Sequence, residues 1–509
     1  MGSAPPPGGG AVRRRLARNV LFSGAGNVWA VIVTLIALPV MLHGLGAVGF
    51  GTWALLETFS AGRGWLSIAD LGFSTATRAE VSRRRSLEDP AGVSRTMTSA
   101  LVLLAAMGVV CGAAVAGIGP LVLPGIFHTP GALHAQLVVA ILALGVRVPF
   151  EMVSEGTFAC LEGLQRIDLA RVADACQRTM LIAGAAAAAL TTSNLAVVEE
   201  VSLAATVLGI GLALGLLMKH QSLRAAPAWG EVRHLLQFGW AVGGTNIFSV
   251  VHRNMDRLIV GVILGPAPVS LVEIATQVQN GAEAILAATG SPVVPAAAWF
   301  DARHSTDQLR QLLYRGTKYV VLATIPFIIG AALLAGPLVN AWVSPRYSRA
   351  SILIPLAMVY MLMVAPLQVG SLILTGVGRA RDVLRPFAVA TMVNLGSSIV
   401  LVLLIGVAGA FLGTLVGTAI LIVPLTRSVL HEVGGRAQEL AARSLAPALV
   451  PSLLLVATLV IVLLVGWAPI PTLVIGALAG GCVYSAAALC WSLRADERRE
   501  LLSVGSRLW

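Results

Sequence analysis

Charge is what this chain has least of. Only 12% of its 509 residues are Asp, Glu, Lys or Arg, against about 25% in soluble domains. That scarcity excludes a cytosolic enzyme and a secreted domain. Lysine is nearly absent, with Lys219 and Lys318 set against 33 arginines. Neither lysine ends a GxxxxGK[ST] phosphate-binding loop, being preceded by Met218 and Thr317, so this chain carries no ATP-driven motor of that kind. The five cysteines (Cys111, Cys160, Cys176, Cys482, Cys490) contain no CxxC pair. They read as small buried hydrophobes, with no disulfide framework, metal site or cofactor implied.

What the chain does have is apolar length. Fifty-seven percent of it is hydrophobic and the mean hydropathy is +0.85. A membrane-spanning helix takes roughly 20 apolar residues, and fourteen runs qualify: 20–42, 47–78, 95–118, 133–160, 168–190, 195–218, 236–264, 268–299, 312–342, 350–377, 384–406, 408–430, 446–467 and 470–493. Their connections fix the orientation. Arg13, Arg14, Arg15 and Arg18 precede the first run and hold the N-terminus inside. From there 27 of the 35 cations fall in cytoplasmic connections. Examples are Arg83–Arg85, Arg166, Lys219 and Arg224, Arg303, Arg379, Arg436 and Arg498. Outside connections hold only Arg346 and Arg349. The net charge of +11 is thus spread over membrane connections, which excludes a nucleic-acid face. Both termini are expected in the cytoplasm. Arginine over lysine, with abundant Ala, Gly and Val, suggests a high-GC bacterium and hence its cytoplasmic membrane.

An internal repeat organises the runs. Asn27 followed by Leu45-Gly46 recurs as Asn246 followed by Leu264-Gly265, 219 residues on. Gly119-Pro120-Leu121-Val122 recurs as Gly336-Pro337-Leu338-Val339 at 217, and Gly163-Leu164-Gln165-Arg166 as Gly376-Val377-Gly378-Arg379 at 213. Each half holds six spans, so the copies share an orientation. The expected fold is an all-α polytopic membrane protein of about 14 transmembrane helices, in which two six-helix lobes surround a central cavity. The expected layout is a flexible tail (1–18), a first lobe (19–220), a second lobe (232–436), two additional helices (444–495) and a cytoplasmic tail (496–509).

The run Leu45-Gly46-Ala47-Val48-Gly49-Phe50-Gly51-Thr52-Trp53, leading to Asp70-Leu71-Gly72-Phe73-Ser74-Thr75-Ala76, resembles the first two helices of the polysaccharide transporter family, which includes flippases for O-antigen and related lipid-linked oligosaccharides. Asp256-Arg257-Leu258-Ile259-Val260-Gly261, Gly163–Asp168 and Asn394-Leu395 before the 406–417 stretch are similar to it too. The resemblance spans roughly 16–436. It implies the multidrug/oligosaccharidyl-lipid/polysaccharide exporter superfamily, with no ATPase. The implied substrate is a polyprenyl-pyrophosphate-linked glycan moved from the cytoplasmic to the external leaflet by alternating access. Membrane lipid, Na+ or H+, and other polysaccharide-assembly proteins are candidate partners. The extra helix pair resembles the fourteen-helix lipid II flippases, so that substrate stays open. A multidrug exporter of the same superfamily is a further alternative. A membrane glycosyltransferase or polymerase fits less well, because the outside connections are short and nearly uncharged.

An ionisable residue inside a span costs about 2.5–3.5 kcal/mol on insertion scales and asks for a reason. Arg63, Arg147, Arg253 and Arg257 are the candidate substrate-binding residues, since guanidinium pairs bidentately with pyrophosphate or acidic sugars. Glu57, Glu151, Asp256, Glu273 and Glu283 are the candidates for ion coupling. Arg253 and Arg257 share a helix face, as do Arg147, Glu151 and Glu155. Each cluster has a structural reading as a buried ion pair, and for Asp174–Arg178 that reading leads. Asp70 caps or braces a helix end, Lys318 snorkels toward the cytoplasm, and Gly409, Gly413 and Gly417 serve close helix packing.

Overall fold

The computed structural model describes residues 9–223, 226–290, 292–493 and 497, with side chains from residue 29 onward except at 234, 238 and 240–246. Arg13, Arg14, Arg15, Arg18, Asn27, Arg224, Asn246, Arg498 and Arg499, and most of both expected tails, therefore lie outside the described side chains. Among the described residues there is no strand.

The chain divides into two compact units, Met1–Ser270 and Leu271–Trp509. The first contains α1 (Gly9–Glu57), α2 (Phe73–Ser86), α3 (Pro90–Ile126), α4 (His134–Gly163), α5 (Ile167–Thr192), α6 (Leu195–Met218) and α7 (Trp229–Leu264), and α8 (Pro266–Gly290) starts at its end. The second continues with α9 (Val293–Asp301), α10 (Thr306–Leu333), α11 (Ala335–Trp342), α12 (Ala350–Gly376), α13 (Ala380–Ile405), α14 (Ala408–Val433), α15 (Ala437–Leu440), α16 (Leu449–Leu464) and α17 (Pro469–Ala487). Among the described residues, ten helical stretches are long and apolar enough to cross a membrane. The long helices α5, α7 and α8 are not among the ten, and each carries charged or amide side chains. At about 1.5 Å per residue, all three still exceed the hydrocarbon thickness of about 30 Å. Leu121, Leu404 and Leu464 are exposed, as lipid-facing side chains should be.

The repeat recurs in the backbone. Gly46 (φ 69, ψ 177) and Gly265 (φ 83, ψ −178) turn the chain identically, each between two helical segments. Only glycine adopts such a conformation without strain. The αL residues Glu88 and His304, before α3 and α10, stand 216 residues apart. Gln165 and Gly378, after α4 and α12, stand 213 apart. The bonds match as well: Arg166 N–H donates to Leu161 O at 2.9 Å and Arg379 N–H to Leu374 O at 2.8 Å.

Small residues let the helices close. A Cβ on Gly413 would lie 2.1 Å from Ser398 Oγ, and one on Gly417 2.6 Å from Ala390 O, which is the expected close packing of α13 on α14. In the first unit, Val81, Val93, Met97, Cys160, Leu161 and Leu217 form one core cluster. In the second, Val321 and Ile325 of α10 pack with Leu455, Leu459 and Tyr484 of the last two helices, and Tyr484 Oη donates to Leu322 O.

Two local expectations change. The run 47–78 is one span by hydropathy, yet its helix stops at Glu57 and resumes only at Phe73, with a 3₁₀ turn at Trp65–Asp70 between. Lys318 does not snorkel. It is 5% exposed, and its Nζ donates to Glu497 Oε2 at 2.6 Å, because a carboxylate from the C-terminal segment reaches it inside the helix packing.

Candidate functional site

The break in the second span has a local cause. Thr58-Phe59-Ser60-Ala61-Gly62-Arg63-Gly64 places two glycines around an arginine, and glycine is the weakest helix former after proline. Thr58 Oγ1 turns back onto Leu55 O at 2.6 Å, competing with the helical bonds. Trp65 N–H donates to Thr58 O at 2.6 Å and closes the loop. There Gly64 is obligatory, since a Cβ would lie 2.3 Å from Thr58 O.

Interrupting a helix inside a bilayer releases backbone groups that need partners within the protein. Glu151 of α4 supplies one: its Oε2 accepts from Ala61 N–H at 2.6 Å and Gly62 N–H at 3.4 Å. Asn254 of α7 supplies another, its Nδ2 donating to Arg63 O at 3.0 Å. The broken stretch is thus clamped from two helices.

The same Glu151 belongs to a buried charge cluster. Arg147, fully buried, meets three carboxylates: Glu57 Oε1 at 2.6 Å from Nη2, Glu199 Oε1 at 2.8 Å from Nη1, and Glu151 Oε1 at 3.0 Å from Nε. Glu199 is also fully buried, and neither of its oxygens has an aligned hydrogen bond. With every group ionised, one guanidinium against three carboxylates leaves two negative charges. Burying uncompensated charge is costly enough that a group takes up a counter-charge instead.

Arg63 projects from the break and is exposed. Its carbonyl oxygen is held by Asn254, the neighbour of Arg253 on α7. Arg253 is exposed, while Asp256 and Arg257 are half-buried. Asp174 is paired with Arg178 at 2.6 Å, as its spacing predicts. Asp70 Oδ1 accepts from Ser74 N–H and Oγ, and so braces the start of α2. Three expected substrate-binding residues, Arg63, Arg253 and Arg257, thus lie on two segments joined through Asn254, while Arg147 is enclosed by carboxylates. Glu273 (half-buried) and Glu283 (exposed) lie on α8.

Two contributors escaped the sequence. Glu199 was masked by its place at the apparent outer end of a span, beside Glu200. Asn254 is uncharged and stood out less than its neighbours Arg253 and Asp256.

At one end of the first unit, Arg84 Nη2 donates to both oxygens of Glu231 at 2.8 and 2.7 Å, joining α2 to α7. Glu80 accepts from Arg83 and Arg84. Arg83's hydrogen bond first, and Arg84's after it, bring the Glu80 carboxyl down to about 2.

The profile described as polysaccharide biosynthesis protein matches residues 68–352, more than half of the chain. The chain belongs to this polysaccharide biosynthesis protein family. Its fold is that of the lipid II flippase MurJ in an inward closed conformation (13% identity, 92% of this chain and 98% of that one, TM-score 0.73). It is also similar to an inward-facing multidrug resistance MATE family transporter of the MOP superfamily (14%, 82% and 95%, TM-score 0.62), and to the eukaryotic MATE transporter AtDTX14 (14%, 83% and 97%, TM-score 0.60). Among curated proteins, none matches the sequence. This member of the polysaccharide biosynthesis family is accordingly a multi-pass membrane protein that shares the fold of these structures.

Proposed function

We propose that the protein is a flippase that moves a polyprenyl-pyrophosphate-linked oligosaccharide from the cytoplasmic to the external leaflet of a bacterial cytoplasmic membrane, with both termini inside. The observation that carries this reading is the broken second span, which leaves Arg63 exposed and is tied through Asn254 to α7, the helix that also carries Arg253 and Arg257. Discontinuous spanning helices mark transport sites, and three guanidinium groups suit a pyrophosphate. Membership of a polysaccharide biosynthesis family supports the glycan.

Arg147 takes a different part in this reading, as the internal counter-ion of the Glu57–Glu151–Glu199 cluster rather than as a phosphate contact. That cluster takes up a proton or small cation in each cycle. Glu151 transmits the change, because it holds the backbone that carries Arg63. Asp256, Glu273 and Glu283 remain secondary coupling candidates. Alternating access by the two six-helix halves would complete the movement.

The test is lipid extraction and mass spectrometry on cells depleted of the protein, complemented with wild type or Arg63→Ala. One polyprenyl-pyrophosphate glycan should accumulate on depletion and persist with Arg63→Ala. The lipid II reading is favoured by one observation, the near-complete overlap with MurJ, and accumulation of lipid II would establish it. No change in any lipid-linked glycan would refute both and turn attention to small-molecule export.

A further inference from the structure

The 219-residue offset that aligns Gly46 with Gly265 puts the broken stretch 58–64 in register with 277–283 of α8, where the helix continues unbroken. Where the first copy exposes backbone and Arg63, the second carries carboxamides. Gln277, Gln279 and Asn280 follow Glu273 and Thr276 and precede Glu283. Positions 273, 276, 280 and 283 recur at three and four residues and so share a face, with 279 beside it.

Two bonds order these side chains. Asn280 Nδ2 donates to Oε1 of buried Gln277 at 3.1 Å, and Gln279 Nε2 donates to Oε1 of exposed Glu283 at 2.9 Å. Each bond uses one N–H of its amide. Gln279 and Asn280, both half-exposed, thus keep a carbonyl oxygen and a second N–H to offer. The rotation of α8 is set by close contacts: a Cβ on Gly281 would lie 2.8 Å from Phe327 Cζ of α10, and one on Gly290 2.8 Å from Leu372 of α12.

We propose that Gln279 and Asn280 form a recognition site for the uncharged sugar hydroxyls and acetamido groups of the transported headgroup. Carboxamides in a spanning helix are retained for a polar partner. Pyrophosphate is not that partner, because α8 contains no Lys, Arg or His and carries two acids. The prenyl tail offers no hydrogen bond. Sugar hydroxyls, each both donor and acceptor, match paired donor–acceptor amides. Sugar selection then belongs to the stretch of the second repeat that is equivalent to the break.

This inference rests on the flippase reading, and binding separates the two. The full-length protein in lipid nanodiscs is titrated with farnesyl pyrophosphate and with a prenyl-pyrophosphate-linked N-acetylglucosamine disaccharide. Two lost hydrogen bonds predict that Gln279→Ala/Asn280→Ala binds the glycosylated probe about tenfold more weakly, with affinity for farnesyl pyrophosphate unchanged. Asn280→Leu, which adds apolar surface and so favours insertion, should show a smaller loss of the same selectivity. Equal weakening of both probes, or unchanged binding of the disaccharide, overturns the sugar site and leaves the flippase standing. Wild-type protein that binds neither probe overturns both. Binding of tetraphenylphosphonium in place of the disaccharide, lost in the double variant, would make α8 a cation site and also overturn the proposal.

Discussion

Arg147 of α4 and Glu57 at the end of α1 are ninety residues apart and joined at 2.6 Å. Glu57 is the last helical residue before the break, so this bond anchors the point at which the helix stops. Glu199 reaches the same guanidinium from α6, and Glu151 reaches both the guanidinium and the released backbone. Anchor, counter-ion and broken stretch form one connected unit.

Removing Arg147 should therefore be severe. Breaking a buried ion pair from one side costs roughly 3–5 kcal/mol, and here three carboxylates are stranded together. Arg147→Ala should lower the unfolding temperature in detergent sharply and reduce membrane yield. Adding Glu199→Gln, which removes one of the negative charges, should restore part of the loss. A double variant no more stable than Arg147→Ala would show that the cluster is not held by charge balance.

The clamp between α2 and α7 carries a pH dependence of its own. Glu80 is held near 2, chiefly by Arg83 and then Arg84, below its ordinary value of 4.5. A carboxyl depressed on folding stabilises fully above its unfolded value and loses that contribution as the pH falls toward the folded one. Glu80→Gln should then be destabilising at pH 7 and less so at pH 3, read as the difference in unfolding temperature from wild type. Solvent exposure of Arg83 keeps the effect modest. An equal penalty at both values would assign the role of Glu80 to packing.

How much of this was legible depended on what hydropathy can register. The repeat was written in Leu45-Gly46 and Leu264-Gly265, because a glycine forced to positive φ leaves its mark in the sequence. The helix pair α13–α14 was readable from Gly409, Gly413 and Gly417. The break at 58–64 was not, since Ala61, Gly62 and Gly64 suit tight helix packing as well as a loop, and the flanking residues are apolar. Its stabilising partners lie 90 and 191 residues away in Glu151 and Asn254, and no local pattern encodes them. For the same reason Arg147 looked available to a phosphate until Glu199, 52 positions further on, was placed beside it.

Glu151 separates charge from geometry and gives the most discriminating variant. A glutamine there keeps an oxygen able to accept from Ala61 N–H, so the break should persist, while one negative charge leaves the cluster. A leucine removes the acceptor and leaves a buried N–H without a partner, at about 1–3 kcal/mol. Glu151→Leu should thus lose both stability and transport. Glu151→Gln should stay folded, bind farnesyl pyrophosphate as wild type does, and show glycan transport whose dependence on external pH is flattened. The transport readout is the rate at which a fluorescent lipid-linked glycan reaches the far leaflet of proteoliposomes under an imposed pH gradient. If Glu151→Gln kept the full pH dependence, ion uptake would have to be assigned away from Arg147 and its carboxylates, and Glu151 would be only the clamp of the broken helix.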